Sequence, residues 1–359
     1  MKLVWIAQDL HIGGGQRVIC ELSRQMAQRG HDVTIQYPKG RGGFQLPESI
    51  QTREYGWEIK SATLSILANM PAAIADVPLC DWVLCSMPIS AFSGFAAAKL
   101  RGAKMLYYIM NDERILFDDR SLMKSSLLLR LYHAITDLAH KLPVEIAVNS
   151  QWTGTRVQRR HAYGFPVIPH GVDIETFKPD GDRLEHDDRS VIMTVGRRHL
   201  WKGLAELIQA LNLLAGKGQN SFQLWIISQD DLDLSQARFE VRIIKPSGDE
   251  EIAKTLRSAD VFVHPSWFEG FGLPPLEAMA CGAPCVITDC GGVLEFARDG
   301  ENCLLTPVRN PEKMADAIEK LLTTEKLRQK LIRAGIKTAA PFTWSHAADR
   351  LEEILIKTS

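Results

Sequence analysis

The stretch HPSWFEGFGLPPLEAMACGAP, residues 264–284, carries two glutamates, Glu269 and Glu277, that are eight positions apart. The apolar residues before it predict a strand that ends at Ser266, which places Glu269 on the following loop and Glu277 in the first turn of the next helix. Ionised carboxylates repel phosphate but accept hydrogen bonds from neighbouring hydroxyl groups. The pair therefore predicts a site for the hydroxyls of a sugar.

The loop between the two glutamates has the residues that allow a backbone to approach a ligand. Gly270 and Gly272 permit a sharp turn, and Pro274 and Pro275 suit the first turn of a helix, where a missing N–H group costs little. The free N–H groups of a helix start, with its partial positive charge, form an anion site for which phosphate is the natural guest. A nucleotide sugar, which has a central diphosphate and diol-bearing sugars at both ends, matches these features. An alternative without a ligand remains open, in which Glu277 only favours a helix N-terminus and Glu269 is a solvated loop residue.

Two cations follow another predicted strand, in the stretch VGRRHLWKG. Arg197 and Lys202 are expected at the mouth of a sheet, where ligands of open α/β folds bind, and would stabilise charge on a leaving diphosphate without a metal. A third candidate is the glycine-rich turn of HIGGGQR, which follows the first strand and opens a helix. Because this turn is not GxGxxG, an NAD dehydrogenase is disfavoured.

Strands and helices alternate in both halves of the chain, and these elements must position the candidate residues. KLVWIA predicts a strand, the segment after GGGQ a helix, and HDVTIQY the next strand. A second series includes SVIMTVG, GLAELIQALNLLA and FQLWIIS. The alternation predicts an α/β protein with two parallel, helix-covered sheets, and the junction lies in GFPVIPHGVDIETFKP. We expect an N-terminal domain over residues 1–168 and a C-terminal domain over 169–341.

The composition is that of an ordinary globular enzyme. The 359 residues carry a net charge of −1 without a basic run, which excludes an extended footprint for nucleic acid. The chain start does not resemble a signal peptide, no stretch has the length of a membrane helix, and the odd number of 7 cysteines favours reduced thiols. These features predict a cytoplasmic protein. Residues 121–135, SLMKSSLLLRLYHAI, predict either a core or lid helix or a helix on a membrane surface.

Taken together, EGFGLPPLEAMACGAP resembles the E-x7-E signature of retaining nucleotide-sugar glycosyltransferases of the GT-B fold, specifically family four, also called glycosyltransferase group 1. Four further stretches extend the resemblance over both halves in the expected order: GGGQRVICELSRQMAQRGHDV, IPHGVDIETFKP, VGRRHLWKG and DCGGVLEFARDGENCLLTP. The resemblance implies two Rossmann-like domains that face a central cleft, with the acceptor on the N-terminal domain and the donor on the C-terminal one. It also implies that the final helix, residues 342–359, packs back on the N-terminal domain.

The same resemblance implies roles for individual residues. Glu269 would hold hydroxyls of the donor hexose, and Glu277 would hold those of the ribose. Arg197 and Lys202 would grip the diphosphate. The other implied donor-binding positions lie on the glycine-rich turn and around the helix start: Gly14, Gly15, Gly270, Phe271, Gly272 and Leu273.

The chain departs from the family pattern in two places. The family usually has a histidine after the strand that MLYYIM resembles, but this chain has NDER, so that Asn111 or Asp112 takes the position. Asp112 would contact the sugar, act as a base toward the acceptor, or cap a helix. SQDD replaces a glycine-rich turn, and Asp231 and Asp233 resemble the metal-binding D-x-D of the other large glycosyltransferase fold. Because the chain has two cations for the diphosphate, we expect no metal and no other cofactor.

The expected function is therefore retaining transfer of a hexose-type sugar from a nucleotide-sugar donor to a hydroxyl acceptor in glycan or glycoconjugate biosynthesis. The acceptor would be a glycan, a lipid-linked molecule or a small molecule, and the protein would work in the cytoplasm or at the inner face of the membrane. Two alternatives stay open. A GT-B-fold epimerase would release free sugar or epimer without an acceptor, and a non-catalytic relative would bind a nucleotide sugar or only a protein partner.

Overall fold

The computed structural model describes residues 1–11, 13–112, 114–115, 127–157, 164–218 and 221–358. The chain divides into two compact units. Unit 1 comprises Met1–His170 and Trp344–Ser359, and unit 2 comprises Gly171–Thr343. The sequence pattern predicts domain ends at 168 and 341.

Unit 1 contains a six-stranded parallel sheet covered by helices. Its strands are β1 (Lys2–Ile6), β2 (Asp32–Pro38), β3 (Ile50–Tyr55), β4 (Trp82–Cys85), β5 (Lys104–Ile109) and β6 (Glu145–Val148). Its helices up to the junction are α1 (Gly14–Gln28), α2 (Ala62–Ala68), α3 (Met70–Ala75), α4 (Pro88–Arg101), α5 (Leu127–Ala139) and α6 (Gln151–Val157). The strand order is β3-β2-β1-β4-β5-β6, and all pairs are parallel.

Unit 2 repeats this architecture. Its strands are β7 (Ser190–Val195), β8 (Phe222–Ile227), β9 (Val241–Ile244), β10 (Val261–His264), β11 (Cys285–Thr288) and β12 (Leu304–Thr306). Its helices are α7 (Leu204–Gly216), α8 (Asp249–Arg257), α9 (Leu273–Ala280), α10 (Pro311–Thr323) and α11 (Glu325–Ala339), with short 3₁₀ turns at Leu200–Lys202 and Gly292–Glu295. The strand order is β12-β11-β10-β7-β8-β9, again with parallel pairs.

The apolar runs of the sequence form these strands because a parallel sheet covered on both faces must bury every side chain of its central strands. In β1, the four residues from Leu3 to Ile6 are each at most 2% exposed. Helix α1 is amphipathic, and its apolar face with Val18, Leu22 and Met26 is buried. The predicted α/β class with two parallel sheets is confirmed.

Both sheets share one topology, which fixes where a ligand is expected. In each, the first strand of the unit lies beside the fourth, so the chain changes direction between β1 and β4 in unit 1 and between β7 and β10 in unit 2. Loops that leave the carboxyl ends of two such strands diverge and leave a crevice, which is the usual ligand site of open α/β sheets.

The last helix, α12 (Trp344–Lys357), belongs to unit 1 and contacts α1. Its buried face contains Trp344, Ala347, Ala348, Leu351, Ile354 and Leu355. Arg29, directly after α1, forms ion pairs with Glu352 at 2.9 Å and with Asp349 at 2.7 Å. The chain therefore completes the core of unit 1 only after it has built unit 2.

The apolar segment at 121–135 is only partly visible, since residues 121–126 lie outside the described residues. The rest belongs to α5, on which Leu131 is 56% and Leu138 is 55% exposed. Within the described ranges, no helix is long and apolar enough to cross a membrane. All seven cysteines are free thiols.

Candidate active site

The carboxyl ends of β7 and β10 bring two predicted site residues into direct contact. Lys202 lies in the 3₁₀ turn after β7, and Glu269 lies on the loop after β10. Nζ of Lys202 is 2.7 Å from Oε1 of Glu269. Because β7 and β10 flank the point where the sheet of unit 2 changes direction, the pair occupies the expected ligand crevice.

Glu269 is kept ionised by its neighbours. Ser266 Oγ donates a hydrogen bond to Oε1 over 2.8 Å, and His264 Nε2 lies 3.3 Å from the same oxygen. Burial would raise the pKa of Glu269, but the charge of Lys202 and the contact with His264 outweigh burial and hold this pKa well below its ordinary value. The side chain is 15% exposed, so an ionised acceptor faces the crevice.

The loop with Glu269 is fixed by the segment that follows β11. The N–H of Glu269 donates to the carbonyl of Cys290 over 2.8 Å, and the N–H of Gly292 donates to the carbonyl of Glu269 over 2.9 Å. A Cβ atom on Gly292 would lie 2.0 Å from the oxygen of Gly270 and 2.6 Å from the nitrogen of Phe271. Only glycine allows the two backbones to approach this closely. This explains why a glycine stands at position 292 in the stretch DCGGVLEF.

The turn with Lys202 is packed against the segment after β10. Gly203 has a φ of 70°, and a Cβ atom there would lie 1.9 Å from the carbonyl oxygen of Pro265. The carbonyl of Trp201 accepts a hydrogen bond from the N–H of Trp267 over 2.8 Å. These close contacts hold the backbone of Lys202 beside the loop of Glu269.

A stack of three rings joins the same two loops. His199 and Trp201 lie nearly parallel with 4.4 Å between ring centroids, and Trp201 and Phe268 follow with 6.0 Å. Aromatic contacts of this kind add to the energy of simple burial. The stack restricts the relative movement of the Lys202 and Glu269 loops.

Arg197, the other predicted cation, contacts a different carboxylate. Its Nε lies 3.1 Å from Oδ2 of Asp230, which also accepts the N–H of Arg198 over 3.0 Å. That N–H lowers the pKa of Asp230, and the charges of Arg197 and Arg198 add to the effect. The side chain of Arg197 is 40% exposed, so part of its guanidinium remains open to an anion.

Helix α9 starts beside this cluster. Gly272 caps the helix with a φ of 97°, and a Cβ atom there would meet Val293 at 2.7 Å. Pro274 and Pro275 carry no N–H, so Gly272 and Leu273 supply the backbone donors at this helix start. Phe271 is 2% exposed and packs among other aromatic rings of unit 2, which anchors the cap.

The position of Glu277 differs from the prediction. It is the fifth residue of α9 and lies in the second turn, because the left-handed Gly272 lets the helix begin at Leu273. Glu277 is 5% exposed. Neither glutamate is therefore a solvated residue, and the alternative of a solvated Glu269 is excluded.

The predicted site residues Gly14, Gly15 and Asp112 lie in unit 1. Gly14 and Gly15 are the first two residues of α1, where backbone N–H groups have no partner within the helix. A Cβ atom on Gly15 would lie 3.5 Å from Cε of Met110, directly after β5. The glycine-rich turn thus lies at the carboxyl edge of this sheet.

Asp112 is 1% exposed and is held by two arginines. Arg114 Nε is 2.7 Å from its Oδ1, and Arg156 Nε is 3.1 Å from its Oδ2. Burial would raise the pKa of Asp112, but the hydrogen bond and charge of Arg114 and the charge of Arg156 lower it overall. A carboxylate with a lowered pKa is a weak base, so this geometry favours a structural role for Asp112.

Asp231 and Asp233, which resemble a metal-binding D-x-D motif, have a local structural explanation. Oδ1 of Asp233 accepts the N–H of Ser235 at 3.0 Å and its hydroxyl at 2.7 Å, which closes a turn, and Asp231 is exposed. Across the part of the chain that the structure describes, no group of three or more His, Cys, Asp or Glu side chains could hold a metal ion.

Two family models match the chain in succession. The model Glycosyltransferase Family 4 matches residues 12–176, and Glycosyl transferases group 1 matches residues 178–338. The chain belongs to glycosyltransferase family 4. This agrees with the resemblance of the sequence motifs over both halves.

Curated relatives of this family 4 chain include two proteins named D-inositol 3-phosphate glycosyltransferase. The protein of Corynebacterium jeikeium is 31% identical over 214 residues, which cover 52% of this chain and 50% of the relative. The protein of Stackebrandtia nassauensis is 33% identical over 211 residues, which cover 52% of this chain and 47% of the relative. The chain thus spans about half the length of the curated relatives it matches.

Solved structures match nearly the whole family 4 chain. Sucrose-phosphate synthase from Thermosynechococcus elongatus has a TM-score of 0.84 at 19% identity, covering 99% of this chain and 98% of that one. The lipopolysaccharide glycosyltransferase WaaG has a TM-score of 0.79 at 17% identity, covering 98% and 99%. HepE from Anabaena, solved with UDP-glucose, has a TM-score of 0.77 at 16% identity, covering 99% and 100%. The likeness confirms the GT-B fold.

For this family 4 chain, sequence reasoning sets His264 aside, because a lone histidine near a sheet edge is more often structural, and it leaves Asp230 outside the site. His264 is the last residue of β10, and its place at a strand end shortly before Glu269 was the available signal. Asp230 was seen only as part of SQDD. Its contact with Arg197 joins the ends of neighbouring strands β7 and β8, which a linear sequence does not display.

Proposed function

We propose that the chain is a retaining, metal-independent glycosyltransferase that moves a hexose-type sugar from a nucleotide-sugar donor to a hydroxyl acceptor. The observation that carries the proposal is the contact between Lys202 and Glu269, at 2.7 Å, in the ligand crevice of unit 2. This contact supports the proposal, because a carboxylate that would accept hydrogen bonds from sugar hydroxyls lies next to a cation that would stabilise charge on the leaving diphosphate.

The two cations support metal independence. Negative charge grows on the diphosphate as the glycosidic bond breaks, and fixed positive groups in a partly dehydrated site stabilise such charge strongly. Lys202 and Arg197 would supply it from the loop after β7, and the N–H groups of Gly272 and Leu273 would add to it at the start of α9. A divalent cation would then have no necessary role.

Glu269 would orient the hexose. Its free carboxylate oxygen would accept hydroxyl hydrogen bonds, which fixes the sugar ring relative to the phosphate that leaves. Gly270, Phe271 and the cap of α9 would support the same part of the donor, and the buried Glu277 would accept from the ribose hydroxyls.

In the proposed reaction, the bond from the anomeric carbon to the phosphate oxygen breaks, and a bond from that carbon to the acceptor oxygen forms on the same face. The leaving phosphate takes the proton of the acceptor hydroxyl. The transition state resembles an oxocarbenium ion, and no protein nucleophile is invoked. The product therefore keeps the anomeric configuration of the donor.

The acceptor would be a hydroxyl-bearing glycan, lipid-linked molecule or small molecule. The relatives named for D-inositol 3-phosphate make a phosphorylated polyol the first small molecule to test. A lipid-linked acceptor would bring the protein to the inner face of a membrane, and the exposed Leu131 and Leu138 on α5 offer an apolar contact there. The proposed working place is the cytoplasm.

The test is a calorimetric screen with EDTA present, against UDP, GDP, dTDP, ADP and CMP and their common sugar conjugates. Glu269→Gln should keep the affinity for the nucleoside diphosphate and weaken that for the sugar conjugate, while Glu250→Gln, on the exposed face of α8, should match the wild type. Transfer is then measured with an acceptor panel that includes D-inositol 3-phosphate.

Each part of the proposal has its own contrary result. Binding that appears only after addition of Mn²⁺ would refute metal independence. An inverted anomeric configuration in the product, read from NMR coupling constants, would refute the same-face mechanism. Release of free sugar or epimer without acceptor would identify an epimerase, and donor binding without turnover on any acceptor would favour a non-catalytic relative.

A further inference from the structure

All described protein contacts of the Glu269 carboxylate converge on one oxygen. Lys202 Nζ at 2.7 Å, Ser266 Oγ at 2.8 Å and His264 Nε2 at 3.3 Å all approach Oε1. Within the described residues, Oε2 takes part in no hydrogen bond or ion pair. One oxygen therefore anchors the carboxylate in the protein, and the other is available to a ligand.

The three contacts on Oε1 are not equivalent. A carboxylate oxygen accepts about two strong hydrogen bonds, and Lys202 and Ser266 make them. His264 Nε2 is close but lacks hydrogen-bond alignment, and this buried atom has no hydrogen-bond partner among the residues that the structure describes. The histidine is a nearby donor that the ligand-free arrangement leaves unused.

His264 is also held firmly in place. It is the last residue of β10, its register partner is Ile287 of β11, and its carbonyl accepts the hydroxyl of Thr288 over 3.1 Å. Its side chain is 5% exposed. The imidazole is therefore shielded from solvent, and within the described residues the carboxylate of Glu269 is the acidic group paired with its Nε2.

Lys202 has two competing partners under the proposed function, on which this inference rests. In the structure its ammonium group pairs with Glu269, whereas in the donor complex it would contact the diphosphate. As the ammonium group moves toward the phosphate, Oε1 loses a hydrogen bond at the moment when Glu269 must hold the sugar. A partly buried carboxylate that loses its donor becomes free to rotate and is poorly satisfied.

We propose that His264 is a positioning residue that takes over Oε1 of Glu269 when Lys202 engages the diphosphate. The neutral imidazole with its proton on Nε2 is sufficient, so no change of charge is required. The exchange keeps Oε2 directed at the sugar hydroxyls throughout the reaction. It explains why a buried ring nitrogen without a hydrogen bond lies 3.3 Å from a carboxylate that already has two donors.

If the exchange occurs, loss of His264 should weaken binding of the sugar but not of the diphosphate. The experiment therefore compares the two affinities. Calorimetry with UDP and UDP-glucose, or the base and sugar that the screen identifies, is combined with steady-state kinetics on wild type, His264→Ala and His264→Gln. His186→Ala is the matched control, because His186 lies on an exposed loop of the same unit and contacts Trp225. Melting temperatures confirm that each variant is folded.

For His264→Ala we expect an unchanged affinity for UDP, a weaker affinity for UDP-glucose and a kcat lowered about tenfold or more, as for a lost hydrogen bond to a charged group. His264→Gln retains a side-chain N–H and should recover much of kcat. The loss should also vanish in a Glu269→Gln background, because the histidine acts through that carboxylate.

Four results would overturn the inference. His264→Ala with wild-type kcat and UDP-glucose affinity would mean that Lys202 serves both partners alone. Equal losses of UDP and UDP-glucose affinity would indicate general damage to the site, as would failure of the folded His264→Gln variant to improve on alanine. If the wild type binds no nucleotide sugar at all, the proposed function fails, and the inference fails with it.

Discussion

Replacement of Gly292 by alanine tests whether the approach of two backbones places Glu269. The Cβ atom would lie 2.0 Å from the oxygen of Gly270, whereas Cβ atoms essentially never come within 3.0 Å of such an atom. The loop must therefore shift by about 1 Å, and a displacement of that size costs about 10²-fold in rate. Gly292 has no left-handed φ, so the added methyl group acts through contact alone.

The assay is kcat/KM of the purified Gly292→Ala variant with the donor that the screen identifies, together with its melting temperature. Gly216→Ala is the control, because a Cβ atom at the end of α7 meets nothing within 4 Å. We expect the control to keep full activity. A folded Gly292→Ala variant with wild-type kcat/KM would show that the contact does not determine the position of Glu269.

Three further predictions concern single side chains. Lys202→Met should lower kcat about 10²- to 10³-fold. As the pH falls, the variant should lose its remaining activity at a higher pH than the wild type does, because burial raises the pKa of Glu269 and the charge of Lys202 no longer opposes it. Burial, followed by the charge of Arg114, lowers the pKa of His140 from 6.5 to about 4. The unfolded state therefore binds more protons in this window, and stability should fall by about 3 kcal/mol as pH drops from 6.5 to 4; urea titrations should show a flatter dependence for His140→Phe. Asp112→Ala removes the carboxylate that Arg114 and Arg156 both contact, while Arg114 keeps its ion pair with Asp137. The change should cost about 1–3 kcal/mol of unfolding free energy, with less than about a tenfold change in kcat per folded molecule; a large loss of kcat at unchanged stability would restore its role as a base.

The fold was largely readable from the sequence, because it depends on local patterns. SVIMTVG and FQLWIIS predict β7 and β8 to within one residue of the bounds that the structure has, since each is a mostly apolar run. Strand β10 ends at His264 and not at Ser266, because Pro265 has no N–H to donate to a neighbouring strand. The helix that carries Glu277 begins earlier than predicted for a similarly local reason, the left-handed cap at Gly272.

The site was only partly readable, because its contacts join residues far apart in the chain. Lys202 and Glu269 were each found, but their mutual contact depends on β7 and β10 being neighbours in the sheet. Asp230 is missed for the same reason, and His264 is set aside because the sequence does not show that it lies beside Glu269. Asp112 was considered as a base because of its place in the motif, whereas Arg156, which comes from α6, determines its environment together with Arg114.

The place of α12 in unit 1 has a consequence for the order in which the protein matures on the ribosome. Unit 1 contains Met1–His170 but also needs Trp344–Ser359, so the 173 residues of unit 2, Gly171–Thr343, must be made in between. At roughly 5–20 residues per second, this interval lasts about 10–35 s. During that time the face of α1 that α12 will contact has no covering helix, and the whole of unit 2 can fold first. A chaperone that protects nascent chains should therefore act on the N-terminal unit, the earlier one to emerge and the later one to be finished.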